Sequence, residues 1–203
     1  MVASLSTLYG RLQDDEHPAM DRLRRDAQGQ FVPGVGPVPA RIMFLGEAPG
    51  AAETRNGRPF CGPAGKVLNE WCQIADISRA DCFVTNSVKY QPVNSRGDNR
   101  KPWKSELEVH TKYLAAETVL VRPQWIVALG STALTMLWLD LLGDAPKISD
   151  VHGREIPITG RYRASRIFAL YHPAAVLHNE DLVDVARMDA QRLGDTLRST
   201  VDA

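Results

Sequence analysis

Four short apolar runs dominate the pattern of this 203-residue chain. Each run is continuous in apolar residues rather than alternating, which is typical of strands buried on both faces of a parallel sheet. The runs are RIMFLG (41–46), CFVTN (82–86), WIVALG (125–130) and RIFALYH (166–172). Because segments with helical patterns separate them, the sequence predicts alternating strands and helices.

The segments between the runs have apolar residues at helical spacing, with proline or a hydroxyl residue near some of their starts. They predict helices over residues 63–75, 103–121, 131–142 and 180–199. The segment KISDVHGREIPIT (147–159) predicts a small hairpin, and residues 1–39 predict a weak helix followed by a Gly/Pro arm. The expected fold is α/β: a three-layer αβα sandwich with a central, mainly parallel four-stranded sheet, in one domain over 1–203.

Composition excludes several classes of protein. The chain has 24 basic and 24 acidic residues and a net charge of zero, so no overall basic field indicates nucleic acid. The N-terminus has no long apolar stretch, which predicts neither a signal peptide nor a membrane span. Three scattered cysteines without a CxxC pattern fit a reducing compartment. We therefore expect a cytoplasmic protein, and we expect it to be a monomer.

Polar residues follow each of the four predicted strands. Glu47 follows the first strand, Asn86 ends the second, Ser131 and Thr132 follow the third, and His172 ends the fourth. Ligands of parallel α/β sheets bind beyond the carboxyl ends of the strands. The sequence therefore predicts that a carboxylate, an amide, a hydroxyl and an imidazole meet in one site.

The segment after the first strand, residues 46–65, contains five glycines, three prolines and four alanines. Its GEAPGA start lacks the GxGxxG pattern of dinucleotide-binding folds, and Gly65-Lys66 is followed by Val67 rather than Ser or Thr, as a P-loop requires. No GxSxG pattern occurs either. Because about 20 residues of structureless loop are unusual unless functional, this segment predicts close approach of backbone to a ligand.

Five ordered motifs resemble the uracil-DNA glycosylase superfamily, and the most similar pattern is that of its family 4. They are GEAPG, GRPFCGPAG, TNSVK, VALGSTAL and YHPAA, and the match covers roughly residues 40–178. The resemblance implies a central four-stranded parallel sheet, a uracil base flipped out of DNA and hydrolysis of the bond between base and sugar. It implies DNA containing uracil as the partner.

The resemblance assigns roles that agree with the chemistry of the side chains. Glu47 resembles the residue that positions or activates the attacking water. Asn86 offers a donor and an acceptor, which complement O4 and N3–H of uracil. His172 is expected to donate a hydrogen bond to the departing base, and Phe60 to stack on it. Each residue alone also has an ordinary structural interpretation: a surface charge, a turn, a cap and core packing.

Three further residues are expected to contact the base. Gly46 and Ala48 belong to the glycine-rich loop, whose backbone amides can approach the base or a phosphate. Glu53 lies where family 4 tends to have an acidic residue near C5 of the base, although a solvated loop carboxylate is equally consistent with the sequence. The neighbouring Thr54 replaces the usual Asp and leaves the base selectivity open.

One departure from family 4 concerns its [4Fe–4S] cluster, which four cysteines hold. The N-terminal arm has no cysteine, and the third and fourth ligand positions match Tyr90 and His110. A cluster of this kind requires thiolate ligands. We therefore expect no iron–sulfur cluster and no metal, with Tyr90 and His110 packing against the arm instead.

The segment YQPVNSRGDNRKPWK (90–104) is the second departure. The X-type enzymes of the superfamily carry here a basic insert ending in a histidine that cross-links to DNA, and this segment has no histidine. We therefore expect turnover rather than cross-linking. Residues expected to contact DNA are Lys89, Arg96, Arg100 and Lys101, with Val176 and Leu177 as wedges in the minor groove. A solvated loop is the alternative for the basic segment.

The sequence therefore predicts a monofunctional DNA glycosylase that hydrolyses the N-glycosidic bond of deoxyuridine, with Glu47, Asn86 and His172 as catalytic residues. Two alternatives remain open: a glycosylase for another damaged or modified base, and a non-catalytic relative that binds DNA.

Overall fold

The computed structural model describes residues 4–28, 30–139, 144–157, 162 and 165–200. These contain a five-stranded sheet, whose strands are β1 (Ile42–Gly46), β2 (Phe83–Asn86), β3 (Trp125–Leu129), β4 (Arg154–Ile156) and β5 (Arg166–Leu170). The strand order is β2-β1-β3-β5-β4, and all pairs are parallel except β4 with β5. The four predicted strands are confirmed.

Helices connect these strands and flank the sheet. They are α1 (Leu5–Gln13), α2 (Pro18–Asp26), α3 (Ala51–Asn56), α4 (Pro63–Ile74), α5 (Lys104–Val121), α6 (Ser131–Trp138), α7 (Ile148–Val151), α8 (Pro173–His178) and α9 (Leu182–Ser199). The last residues of the helix predicted over 131–142 lie outside the described residues. In the part of the chain that the structure describes, no helix combines the length and apolarity that a bilayer crossing requires.

The fifth strand corrects two expectations. Residues 147–157 do not form the predicted hairpin, whose last two residues, 158 and 159, lie outside the described residues; the short helix α7 precedes β4, which pairs antiparallel with β5 at the sheet edge. The sheet therefore has five strands instead of the four that were predicted. An antiparallel edge strand on a parallel sheet is common in α/β folds.

Alternate strand residues face two separate apolar layers, as expected for strands covered on both faces. Met43 and Ile126 pack with α1, α2, α5 and α6 on one face. Phe44 and Val127 pack with α4 and α9 on the other. The three-layer α/β sandwich is therefore confirmed.

The N-terminal segment forms two helices and an arm, rather than one weak helix and an arm. The arm runs beside β2: Val32 N–H donates to Lys89 O at 2.9 Å, and Val35 forms an isolated bridge with Val84. Phe31 on the arm makes an edge contact with Tyr90, with ring centroids 5.4 Å apart. Packing of Tyr90 against the arm is therefore confirmed.

A buried polar cluster fixes the arm and the end of β2. Lys89 Nζ donates to Glu117 Oε2 at 3.0 Å and to Asn86 O at 2.9 Å. The hydroxyl of Tyr9 donates to Glu117 and accepts from Gly34 N–H. Because the Lys89 side chain is only 3% exposed and fully paired, the expectation that it contacts DNA is wrong.

His110 lies next to Lys89 of this cluster, and both of its ring nitrogens are bonded to backbone groups. Nδ1 lies 2.7 Å from Glu106 O, and Nε2 accepts from Lys89 N–H at 3.4 Å. This pairing requires the neutral ring with its proton on Nδ1, and burial lowers the pKa of His110 to about 3. His110 therefore braces the backbone after β2 at Lys89, whose carbonyl accepts from Val32 N–H of the arm.

Acidification should destabilise the protein through His110. With the native pKa depressed, the unfolded chain binds the proton first, so this contribution to stability is complete above pH 6.5 and is lost as pH falls toward 3. When the pH falls from 7 to 5, the free energy of unfolding should decrease by about 2 kcal/mol less in the His110→Gln variant than in the parent. Urea titrations at both pH values measure this difference. The exposed control His178→Gln should keep the parent's dependence; equal dependence in all three proteins would contradict the prediction.

Candidate active site

A cavity of about 600 Å³ lies at the carboxyl ends of β1, β3 and β5. β2 lies on one side of β1 in the sheet, and the chain then crosses to β3 on the other side of β1. The cavity therefore lies at a topological switch point. Eight of the predicted site residues line it: Glu47, Ala48, Glu53, Phe60, Arg100, Lys101, His172 and Leu177. The ends of three of the four predicted strands thus meet at this cavity, whereas Gly46 and Asn86 are not among its lining residues.

Glu47, which follows β1, is held by a hydrogen bond from the helix that follows β3. Thr132, in the first turn of α6, donates its hydroxyl hydrogen bond to Glu47 Oε2. This bond occupies one carboxylate oxygen and restricts the orientation of the other, Oε1. Sequence reasoning considered Thr132 only as a helix cap or a strand-end hydroxyl. No pattern in the sequence indicates its bond to Glu47, which follows β1.

Asn86 lies next to Gly46 in the parallel register of β1 and β2. Its side-chain oxygen is buried and has no hydrogen-bond partner among the described residues. A Cβ on Gly46 would overlap that oxygen and would lie 2.6 Å from the Phe60 ring. The absence of a side chain at position 46 therefore lets the Asn86 amide and the Phe60 ring approach the same point.

His172 begins α8, and its orientation defines its protonation. Nδ1 accepts a hydrogen bond from Ala174 N–H at 3.1 Å, so the proton of the neutral ring is on Nε2. Burial lowers the pKa of His172 to about 4. Its ring centroid is 5.9 Å from that of Phe60. At neutral pH the cavity therefore contains an uncharged imidazole whose Nε2–H is a donor.

The glycine-rich segment is not structureless, which corrects the interpretation of a long loop. It contains α3, and Glu53 in the first turn accepts a hydrogen bond from Gly50 N–H. The Glu53 residue is 9% exposed, and burial raises the pKa of its carboxyl group. The alternative of a solvated loop carboxylate is therefore wrong, and Glu53 both caps α3 and lines the cavity.

The basic segment 90–104 contributes to one wall. Lys101 is exposed and lines the cavity, whereas Arg96 is exposed but is not one of the residues that line it. Arg100 also lines the cavity, but its guanidinium is paired with Glu106 at 2.7 Å and with Asp26 at 2.8 Å. Arg100 therefore anchors the segment, which corrects its expected role in contacting DNA.

The two predicted wedge residues differ in exposure. Val176 is half-buried and packs against the core layer of α4 and α9. Leu177 is 47% exposed and lines the cavity. Of the two, Leu177 is the side chain that a bound strand can reach.

The residues present do not fit a four-cysteine cluster. Cys72 and Cys82 are buried, and both belong to the core layer on the face of the sheet opposite His110 and Tyr90. The ring nitrogens of His110 are both bonded to backbone. Within the described ranges, no group of three or more His, Cys, Asp or Glu side chains is arranged to hold a metal ion.

Sequence comparison agrees with the fold. Residues 33–192 match the family model described as "Uracil DNA glycosylase superfamily". The chain therefore belongs to the uracil-DNA glycosylase superfamily.

Curated relatives indicate the branch of the superfamily. A type-4 uracil-DNA glycosylase of Archaeoglobus fulgidus is 36% identical over 165 residues, covering 81% of each chain. The type-4 enzyme of Pyrobaculum aerophilum is 35% identical over 181 residues, covering 88% of this chain and 87% of the relative. The type-5 enzyme of that organism is 30% identical over 185 residues, covering 84% and 75%. The resemblance to family 4 is confirmed.

Proposed function

We propose that this protein is a monofunctional DNA glycosylase that hydrolyses the N-glycosidic bond of deoxyuridine in DNA, a step of base excision repair. The observation that carries the proposal is the buried, unpaired side-chain oxygen of Asn86, which lies close to the ring of Phe60, a residue that lines the cavity together with Glu47 and His172. A buried acceptor without a partner is unfavourable unless a ligand donates to it. The similarity to type-4 uracil-DNA glycosylases supports uracil as that ligand.

The amide of Asn86 matches the hydrogen-bonding edge of uracil. Its oxygen accepts from N3–H of the base, and its nitrogen donates to O4. Phe60 supplies an apolar face at the same point, where Gly46 leaves room for both groups. A base must leave the DNA stack to make these contacts, so binding requires base flipping.

His172 acts on the leaving group. Cleavage of the glycosidic bond leaves negative charge on the uracil ring and positive charge on the sugar. The Nε2–H of neutral His172 donates to a uracil carbonyl oxygen as this charge develops, in the manner of an oxyanion hole. Because the ring is neutral, it stabilises the anion without first having to transfer a proton.

Glu47 acts on the water. Thr132 holds Oε2, and Oε1 accepts a hydrogen bond from a water molecule. This bond directs the oxygen of the water toward the sugar carbon that loses the base. The negative charge of Glu47 also stabilises the cationic sugar.

DNA contacts complete the proposal. Arg96 and Lys101 are exposed cations suited to phosphate, and Leu177 is an exposed apolar side chain suited to filling the space left by the flipped base. Since segment 90–104 has no histidine, the enzyme turns over rather than cross-linking. We assign it no iron–sulfur cluster, because three cysteines in the whole chain cannot supply four thiolates.

An oligonucleotide assay tests the function. The protein is incubated with strands containing uracil, hypoxanthine, 5-hydroxymethyluracil or no lesion, and abasic sites are then cleaved with alkali. Cleavage of the uracil strand that depends on alkali supports the proposal. Cleavage confined to another base would replace it with a different substrate, and DNA binding without abasic sites would replace it with a non-catalytic role.

Loss of the Thr132 hydroxyl should slow the water-dependent step. Thr132→Val keeps the shape but removes the donor to Glu47, so kcat on uracil-containing DNA should fall about 10-fold, as for loss of one hydrogen bond to a charged group. KM should stay unchanged, since Thr132 has no expected contact with DNA. Single-turnover and steady-state rates measure both constants. Thr135→Val, on the same helix, is the control and should match the parent; an unchanged kcat in Thr132→Val would remove Thr132 from the mechanism.

A further inference from the structure

Phe60 has an unfavourable backbone conformation for a residue with a side chain. Its φ angle is +52°, in the left-handed region, which is unfavourable for residues other than glycine. Its ring is nevertheless buried, beside Gly46 and 5.9 Å from the His172 ring. Other contacts must therefore hold Phe60 in this conformation.

Arg79 supplies such contacts. It lies in a 3₁₀ turn, Arg79–Asp81, just before β2. Nη2 donates to Phe60 O at 2.8 Å, and Nη1 donates to Gly65 O at 2.9 Å and also to the Asn69 side chain. One planar guanidinium thus joins the Phe60 carbonyl to the first turns of α4.

The Phe60 carbonyl is also confined from the helix side. A Cβ on Gly65 would overlap the oxygen and the carbonyl carbon of Phe60. The carbonyl therefore lies against the start of α4 with no space for a side chain, and Arg79 bonds to both partners of this contact. Movement of Arg79 would release the carbonyl and, with it, the direction of the Phe60 ring.

Arg79 is separate from the substrate cavity. It lines a second cavity of about 660 Å³, together with Arg58, Cys61 and Asn69. Phe60 lines both cavities, and Arg79 lines only this one. Arg79 does not line the substrate cavity, so its direct bond to the Phe60 carbonyl connects it to a residue that does. The start of α4 and the charge that Arg79 presents to Glu53 are two further links.

We propose that Arg79 is a positioning residue that fixes the ring of Phe60 for stacking on the flipped base, an inference that rests on the proposed function. The planar guanidinium of Arg79 donates in two directions, to Phe60 O and to Gly65 O. A lysine ammonium at the end of a flexible side chain does not reproduce this geometry. Charge alone is therefore insufficient for this role.

Three variants test the assignment on uracil-containing DNA. Arg79→Met should lower kcat/KM by about 10- to 100-fold, the range expected for a reactant group displaced by about 1 Å. Arg79→Lys should recover only part of that loss. Arg58→Met, which removes an exposed arginine of the same cavity, is the matched control and should retain the parent's rate. Equal rates for Arg79→Met and Arg58→Met would overturn the assignment.

A double-mutant cycle separates positioning from a purely structural role. In a Phe60→Leu background, Arg79→Met should change kcat/KM by less than about twofold, because its route of action is already removed. Losses that multiply in the double variant would overturn the proposal. A lower melting temperature with an unchanged rate for folded Arg79→Met would also overturn it.

A crystal structure of Arg79→Met tests the proposal without catalysis. The expected result is a Phe60 that has left the left-handed region, with its ring displaced from Gly46. A ring in its original place would overturn the inference, whatever base the enzyme removes. Absence of uracil release by the parent enzyme would instead overturn the proposed function.

Discussion

Asn86→Asp should lower kcat/KM for uracil release by roughly 1,000-fold, the upper range for loss of one preorganised donor in an active site. The substitution preserves the shape of the side chain but replaces the amide nitrogen, which donates to O4 of uracil, with a second oxygen that repels it. It also places a charge where the residue is 2% exposed. Single-turnover kinetics on uracil-containing DNA measure the loss.

The control for Asn86→Asp is Asn56→Asp, the same chemical change at an exposed position at the end of α3. The control should keep the parent's rate within about twofold, since an exposed substitution of this kind is nearly neutral. Circular dichroism on both variants establishes that each is folded. A folded Asn86→Asp with the parent's rate would remove Asn86 from recognition of the base.

The buried strands were predictable because their pattern depends on local sequence alone. A parallel strand covered on both faces is mainly apolar, and β1 and β3 show this throughout, whereas β2 ends in Thr85 and Asn86 and β5 begins with the exposed Arg166. The three residues of β4, Arg154–Ile156, lie at the sheet edge, where two of them are exposed. A short edge strand has no continuous apolar pattern, so the sequence indicated a local hairpin instead.

Helix α3 was missed because composition concealed its capping. Its surroundings are rich in glycine and proline, which normally indicate loops. The signal that was present is Glu53 three residues after Gly50, the spacing at which a side chain returns to bond the N-cap backbone. A carboxylate first interpreted by its place near the base therefore also has a local structural function.

The role of Lys89 depended on a residue distant in sequence. It adjoins a basic segment, and that neighbourhood predicted a DNA contact. Its partner Glu117 is 28 residues away on α5 and is itself fully buried. Pairing of this kind compensates the cost of burying both charges and is invisible to composition.

The candidate site was more predictable than the contacts that support it. Strand ends of a parallel sheet share one edge, so the positions of Glu47, Asn86 and His172 followed from the order of the strands. Thr132 bonds to Glu47 and Arg79 bonds to Phe60 O and Gly65 O, and the geometry of these bonds depends on how α6 and the turn before β2 pack. Only coordinates supply that information.

His172→Asn should lower kcat by about 100- to 1,000-fold with little loss of stability. Asparagine is a favourable N-cap residue, so its side-chain oxygen can replace Nδ1 as the acceptor for Ala174 N–H. It has no atom equivalent to Nε2, so the donor to the uracil anion is lost. Rapid-quench measurement of base release and a thermal melt on the same preparation separate the two effects.

The pH dependence distinguishes this role from proton transfer by a charged histidine. Because burial lowers the pKa of His172 to about 4, the ring stays neutral from pH 8 to 5, and kcat should show no step near 6.5 from this residue. Below pH 5 the ring begins to bind a proton on Nδ1, which breaks the bond to Ala174 N–H and reorients the donor. A step near pH 6.5 that is present in the parent and absent in His172→Asn would show that an ionised imidazole takes part, and neutral donation would then be wrong.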